Sequence, residues 1–318
     1  MPLARAYSHV VIEVADAARA EAFYRDVLGV AAPARAWDED GARALALPSG
    51  AFIVLAEREN PRTFPETGVH QAYRASHAAI ASIVRKVAAA GGTVADYHED
   101  RREEAGDNAY FADPDGNRIQ LVAGAGPEAG INDIDHAVVQ VSDIEWVDDL
   151  YVEALHLKAV HRTGWNTADF VRARAWGEGK ENMAPGTRRW DQRYRDIPGG
   201  KPGQGRKVAR PNPQLFLDMG GDDARGPVLG IFLAQGHFQE SNLETTRGTP
   251  RVAFLADDGA LDGIAAALAG AGARVEGPVD HPAGLPRARS VYARDPGGVL
   301  VEFCSLEQGR FRLAQSEP

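Results

Sequence analysis

The sequence predicts an α+β fold made of two tandem copies of one domain, and three observations carry that expectation. The stretch His9-Val-Val-Ile-Glu-Val-Ala-Asp16, followed by Phe23-Tyr24 and Leu28-Gly29, recurs 127 residues later as His136-Ala-Val-Val-Gln-Val-Ser-Asp143 with Leu150-Tyr151 and Leu155-His156. A second pair lies at an offset of 182, where Tyr110-Phe-Ala-Asp-Pro-Asp-Gly-Asn-Arg-Ile-Gln120 answers Tyr292-Ala-Arg-Asp-Pro-Gly-Gly-Val-Leu-Val-Glu302. Several features matched at fixed offsets identify a duplication, and the two offsets leave roughly 55 additional residues in the second copy. The length of 318 residues suits two domains of about 150 residues each.

The elements follow in order. His9–Val14 reads as a strand because it is short, rich in valine and isoleucine, and ends at an Asp able to cap a helix over 17–28. Alternation puts His9, Val11 and Glu13 on one face and Val10, Ile12 and Val14 on the other. The apolar face then packs under the helix and the histidine face is left open. A second unit starts at Val69-His70-Gln-Ala-Tyr-Arg, runs through an alanine-rich helix ending at Gly91-Gly92, and closes with a strand over Arg118–Val122. Its counterpart begins at Pro250-Arg251-Val-Ala-Phe254, passes through a helix to Gly270 and ends with Val299–Cys304. These patterns give a first domain over 1–124, a Gly- and Ala-rich linker at 125–130, a second domain over 131–308 and a tail at 309–318.

The second copy carries an Arg- and Trp-rich insertion at about 160–225, with a Gly/Pro cluster over 198–205. Long loops of this kind serve as lids, binding loops or solvated arms. As a lid or oligomer contact, it would offer guanidinium and aromatic faces to an anionic or aromatic ligand, with Trp165 and Trp176 as substrate-binding candidates.

Composition excludes several classes. With 35 Lys+Arg against 45 Asp+Glu the net charge is −10, which gives no electrostatic reason to expect a nucleic acid or an anionic membrane as partner. The chain shows neither an apolar run of spanning length nor an apolar signal core, so a cytoplasmic location is the default expectation. The single cysteine, Cys304, rules out an intramolecular disulfide and a cysteine-cluster zinc site.

The first-strand histidine, the Phe-Tyr…Leu-Gly helix end and the Asp-Pro-Asp-Gly-Asn turn that feeds a final strand resemble the vicinal oxygen chelate superfamily. That group includes glyoxalase I, bleomycin- and fosfomycin-resistance proteins and type I extradiol dioxygenases. The resemblance implies paired βαβββ modules curled into half-open barrels, with metal ligands projecting into each cup from first and last strands. It covers the chain outside the insertion and says little about chemistry, because one scaffold hosts many reactions.

Carried over residue by residue, the metal-ligand pattern falls on His9, His70 and Gln120 in the first half and on His136, Arg251 and Glu302 in the second. Neither set is the two-histidine, one-carboxylate triad that holds Fe(II) or Mn(II) and leaves positions open. Gln120 offers a neutral amide oxygen. Arg251 cannot ligate a metal, and it either pairs with Glu302 or turns to substrate. In some relatives the first module pairs with the last, which would group His9 with Arg251 and Glu302, and His136 with His70 and Gln120. The sequence leaves both assemblies open.

The segment from His281 through Tyr292 to Glu302 resembles the extradiol dioxygenase signature, with a His-to-Tyr gap about two residues longer than the family's. There the His and Tyr would manage protons around a bound catechol. Three readings follow. One is a dioxygenase acting on a catechol- or hydroquinone-like aromatic, with His281 and Tyr292 in those roles. Another is a metal-assisted lyase or isomerase in which Glu13, beside His9, moves a proton. The last is a metal-free aromatic-ligand binding or resistance protein. The metal expected is Fe(II) or Mn(II), then zinc or nickel, with none as the alternative. The partner is a small aromatic or vicinal-oxygen molecule, and a homo-oligomer is compatible with the pattern.

Overall fold

The computed structural model describes residues 4–30, 35–37, 42–63, 70–95, 107–141, 147–163, 214–220, 226–233, 247–283, 285–296 and 299–306. They form four modules. The first comprises β1 (Ala6–Val14), α1 (Ala17–Asp26), β2 (Arg35–Ala36), β3 (Arg43–Ala46) and β4 (Phe52–Glu57). The second comprises β5 (His70–Ala75), α2 (His77–Ala89), β6 (Asn108–Ala112) and β7 (Arg118–Ala123), with an isolated bridge from Ala95 to Tyr110. In the third, β8 (Ile131–Val141) leads through a π-helical segment, Asp148–Ala154, to β9 (Lys158–Thr163), β10 (Gln214–Asp218) and β11 (Val228–Leu233). The fourth holds β12 (Arg251–Leu255), α3 (Leu261–Gly270), β13 (Arg274–Asp280), β14 (Arg287–Arg294) and β15 (Leu300–Leu306). Among the described residues no helix is long and apolar enough to cross a membrane.

Helix starts follow local chemistry. The Asp16 carboxylate accepts from the amides of Ala18 and Arg19, both at 2.9 Å, and Ser76 Oγ accepts from Ala79 N at 3.2 Å. These bonds satisfy amides that a first helical turn leaves without partners.

The sheets do not follow the halves of the repeat. One has eight strands in the order β13-β14-β15-β12-β1-β4-β3-β2, and the other has seven in the order β6-β7-β5-β8-β11-β10-β9. The first module therefore joins the fourth through antiparallel β1 and β12, and the second joins the third through antiparallel β5 and β8. Within each module the first and last strands run parallel. The expected units 1–124 and 131–308 are thus sequence repeats, and each sheet draws one module from either side of residues 125–130. Strands β9 and β10 pair antiparallel, so described strand occupies both ends of the expected 160–225 insertion. Trp165, Trp176 and the tail 309–318 lie outside the described residues.

The main core lies on the sheet faces that carry Val10, Ile12 and Val14, Ile119 and Leu121, Val139 and Val141, and Phe254 and Phe303. Tyrosines from the repeated motif cross this core to the repeated Asp-Pro turns. Tyr24 donates to Asp113 at 3.3 Å and Tyr151 donates to Asp295 at 2.7 Å. These bonds tie the first module to the second and the third to the fourth, complementary to the sheet pairing. The opposite face of the eight-stranded sheet carries a separate apolar cluster of Val11, Trp37, Ala42, Ala44, Phe52, Val54 and Ala56.

Candidate functional site

Each sheet presents a candidate cup on the face away from the main core, and the two have equivalent strand registers. In the eight-stranded sheet His9 lies opposite Ala253, Ala253 opposite Glu302, and Glu302 opposite Tyr292. In the seven-stranded sheet His136 lies opposite Ala72, Ala72 opposite Gln120, and Gln120 opposite Tyr110. The central alanine lets the flanking side chains meet across about two strand spacings of roughly 4.8 Å each. Arg251 and His70 stand two residues before the respective alanines, so they too are equivalent.

The histidines are set by matching irregularities. The β1–β12 ladder shifts register between Tyr7 and His9, and the β5–β8 ladder shifts where Ala72 gives way to Tyr73. Ser8 and Asp135 are the extra residues. Neighbours in a strand normally point to opposite faces, but a bulge re-aims a side chain. Ser8 Oγ lies 3.0 Å from His9 Nδ1, and Asp135 Oδ1 lies 2.7 Å from His136 Nδ1.

The cup of the eight-stranded sheet is filled by its own ions. Glu302 Oε1 accepts from Arg287 Nη1 at 2.5 Å and Ser290 Oγ at 2.7 Å. Glu302 Oε2 accepts from Arg251 Nε at 2.8 Å and lies 3.2 Å from His9 Nε2. Arg251, Arg287, His9 and Glu302 are all buried. Trp37 closes the group, with its ring 4.7 Å from the Arg287 guanidinium carbon and 5.0 Å from the His9 ring. Burial would raise the Glu302 carboxyl, yet Arg287, His9 and Arg251 hold it well below the usual carboxylate range. Burial lowers His9 below its ordinary value against the opposing pull of Glu302, which leaves a neutral imidazole.

His9, Glu302 and Cys304 bring donor atoms within 4.8 Å of one another. Their chemistry nevertheless opposes a metal. Both Glu302 oxygens are engaged, two guanidinium charges stand against a dication, and burial pushes the Cys304 thiol up to about 12, so it stays protonated.

Several expected roles change accordingly. Of the two groupings that the sequence left open, the sheets give His9 with Arg251 and Glu302, and His136 with His70 and Gln120. Arg251 is an internal partner of Glu302 and is 1% exposed. His281 and Tyr292 do approach one another, with Nε2 and the phenol oxygen 3.5 Å apart. They serve the ion cluster, however, His281 through Ser290 at 2.8 Å and Tyr292 by accepting from Arg287 at 3.2 Å. Glu13 is no free base. It accepts from Arg62 N at 2.6 Å, Arg62 Nη2 at 2.7 Å and Thr249 Oγ1 at 2.6 Å.

The cup of the seven-stranded sheet gathers His70, Gln120 and His136, a set of neutral donors. His136 Nε2 lies 3.1 Å from Gln120 Oε1, and Gln120 Nε2 donates to Asn108 at 2.9 Å. The His70 and His136 rings are 5.8 Å apart. Aromatic rings wall the cup: Phe232 lies 6.3 Å from His70, Phe216 lies 6.0 Å from His136, and Tyr110 lies 6.4 Å from His70 beneath the Arg118 guanidinium. Gly230 makes room for them, since a Cβ there would meet Val138 Cγ2 at 2.8 Å and Phe216 Cε1 at 3.0 Å. The equivalent positions in the other sheet hold Val54, Ala44 and Ala56. Sequence reasoning missed Trp37, Phe216 and Phe232, which lie in no motif, and Arg287, which stands five residues before the motif residue Tyr292. It also passed over Ser8 and Asp135, which share the offset of 127.

Residues 9–122 match the family model described as a glyoxalase-like domain. No curated protein matches the chain. Among solved structures, the chain is similar to a candidate dioxygenase from Bacillus subtilis subsp. subtilis str. 168, with a TM-score of 0.59, 15% identity and coverage of 100% of this chain and 89% of that one. It is also similar to glyoxalase I from Zea mays, with a TM-score of 0.59, 16% identity and coverage of 95% and 92%. At such identities the likeness concerns the fold. Residues 9–122 thus match a glyoxalase-like domain, and the chain as a whole shares its fold with glyoxalase I from Zea mays.

Proposed function

We propose that the cup of the seven-stranded sheet is the working centre of a metal-dependent enzyme acting on a small molecule with two vicinal oxygens. The observation that carries this is the contact between His136 and Gln120. Asp135 Oδ1 lies 2.7 Å from His136 Nδ1 and the Gln120 amide nitrogen donates to Asn108, so in the neutral imidazole with its proton on Nδ1 the Nε2 lone pair faces Gln120 Oε1 at 3.1 Å. Facing acceptors repel unless a cation or a proton lies between them.

His70, His136 and Gln120 suit a divalent metal as two imidazoles and an amide oxygen, within the range of zinc, nickel, Fe(II) or Mn(II). Such an ion would supply Lewis acidity and polarise a substrate oxygen. The protein's part is orientation. Asp135 fixes the His136 ring, Asn108 fixes the amide, and Phe216, Phe232 and Tyr110 offer apolar surface to a planar molecule while excluding water. Since all three donors are neutral, the site favours a substrate that brings negative charge, such as an enediolate or a deprotonated diol.

A lyase or isomerase reaction is the first reading, because the proton-handling pair expected for ring cleavage, His281 and Tyr292, serves the opposite cup. Oxygen-dependent cleavage of a catechol or hydroquinone is the second reading, supported by the aromatic walls.

Metal titration by calorimetry should give one site per chain that His70→Ala and His136→Ala abolish and His281→Ala leaves intact. Conversion of 2-oxoaldehyde or α-hydroxyketone adducts without oxygen consumption supports the first reading. Oxygen uptake by the Fe(II)-loaded protein on catechols or hydroquinones moves the assignment to the second. Absence of any metal binding overturns both.

A further inference from the structure

The bulge before His9 has an effect on the other cup. Alternation alone would place Tyr7 on the face of His9, but the extra residue Ser8 turns it to the core face, where its ring lies 5.3 Å from Phe254. From there its hydroxyl reaches the second sheet, where it accepts from Ala137 N at 2.9 Å and donates to Val228 O at 2.5 Å.

Those two groups occupy a particular place in the β8–β11 ladder. Val228 lies opposite His136, and in a parallel pair the carbonyl of one residue is joined to the amide that follows its opposite number. The Tyr7 hydroxyl thus bridges the Ala137 amide and the Val228 carbonyl, immediately after His136. Beside it opens a cavity of about 570 Å³, lined by Tyr7, Asp135, Arg74, Asp133, Asp218 and Val228 among others. Burial holds the Tyr7 phenol well above its ordinary value, so it remains a neutral donor. On the far side of the same stretch, Asp135 is held by His136 at 2.7 Å and by Arg74 at 2.8 Å.

We propose that Tyr7, anchored in one sheet, is a positioning residue for His136 in the other, acting as a wedge between β8 and β11. The wedge sets the backbone on the C-terminal side of His136, while the Asp135 bulge sets the N-terminal side. The ring is thereby aimed at Gln120 from both directions. This rests on the reading of His136 as a ligand in its functional consequence, although the geometric part stands without it.

Tyr7→Phe keeps the ring on Phe254 and removes only the hydroxyl that joins Ala137 N to Val228 O. Long-range 1H–15N spectra of the metal-free protein labelled at histidine should then show the His136 ring resonances displaced and those of His9, only two residues from the substitution, unmoved. Co(II) titrated into the same variant should bind about tenfold more weakly, the low end of losses seen when a supporting bond behind a ligand is removed. The Co(II) visible spectrum should change as well.

Loss of thermal stability with His136 resonances and Co(II) affinity unchanged would overturn the proposal, because that is the result of a purely structural tyrosine. If the unaltered protein binds no Co(II), the metal reading fails, yet the displacement of His136 in the metal-free spectra still decides the role of Tyr7. Should the Phe variant unfold, hydrogen exchange of the unaltered protein gives the answer. The Ala137 amide is expected to exchange as slowly as the innermost ladder amides, and exchange at the rate of a strand end refutes the wedge.

Discussion

Glu302→Gln tests the claim that one cup is an ion cluster closed to metals. The substitution keeps the shape of the side chain and removes the charge on which Arg251, Arg287, Ser290 and His9 converge. Breaking a buried pair by removing one partner costs about 3–5 kcal/mol, because the remaining charge is left in a dry interior. With an unfolding entropy of about 2.1 cal/mol/K per residue, a chain of 318 residues should lose about 4–8 °C in melting temperature. Calorimetry or circular dichroism at pH 7, with a chelator present, reads this directly.

The pH dependence has a definite sign. The folded Glu302 carboxyl titrates well below its unfolded value. Its stabilisation is therefore complete above the unfolded value of about 4.3 and is lost as pH falls through the folded one. The gap between the two proteins should be full at neutral pH and narrow in acid. A variant melting within about 1 °C of the unaltered protein at pH 7 would refute the reasoning. So would loss of the calorimetric metal site, which belongs to the opposite cup.

Three further outcomes are expected. Gln120→Glu adds a charged ligand to a neutral set and should tighten divalent metal binding by about tenfold or more in a calorimetric titration; equal or weaker binding would remove Gln120 from the site. Gly230→Val should displace Phe216 and Val138, abolish uptake of planar ligands in a fluorescence titration, and cost about 1–3 kcal/mol by overpacking. His9 is neutral in the fold because burial lowers its titration. A depressed group stabilises above its unfolded value, so stability should begin to fall below about pH 6.5, and His9→Asn should flatten that part of an acid-unfolding curve.

Much of the architecture was legible because the offsets 127 and 182 align His9 with His136, Tyr110 with Tyr292 and Gln120 with Glu302. The choice of module partners was not. Antiparallel β1–β12 and β5–β8 contacts join strands of the same pattern as any alternative pairing would, and nothing local distinguishes them. Ser8 and Asp135 were visible at the same offset, but period-2 alternation assigns each to the face away from its histidine. Only a bulge reverses that, and bulges leave no mark in an alternating apolar run. Arg287 and Trp37 become meaningful only once Glu302 is seen to need donors, and Phe216 and Phe232 only once Gly230 is seen to admit their rings.

The two sets of contacts between modules close a circle. Tyr24 with Asp113 links the first module to the second, β5 with β8 links the second to the third, Tyr151 with Asp295 links the third to the fourth, and β12 with β1 returns to the start. Ala6 lies opposite Leu255, which in turn lies opposite Cys304, so the first and last described strands stand about two strand spacings apart, roughly 10 Å. The covalent order is therefore one linear cut through a ring. A permuted gene that joins these strands by a short linker and opens the chain at 125–130 keeps every link of the circle. It would exchange which cup is assembled from neighbouring modules and which must wait for the last strand to be synthesised, while leaving both cups as they are.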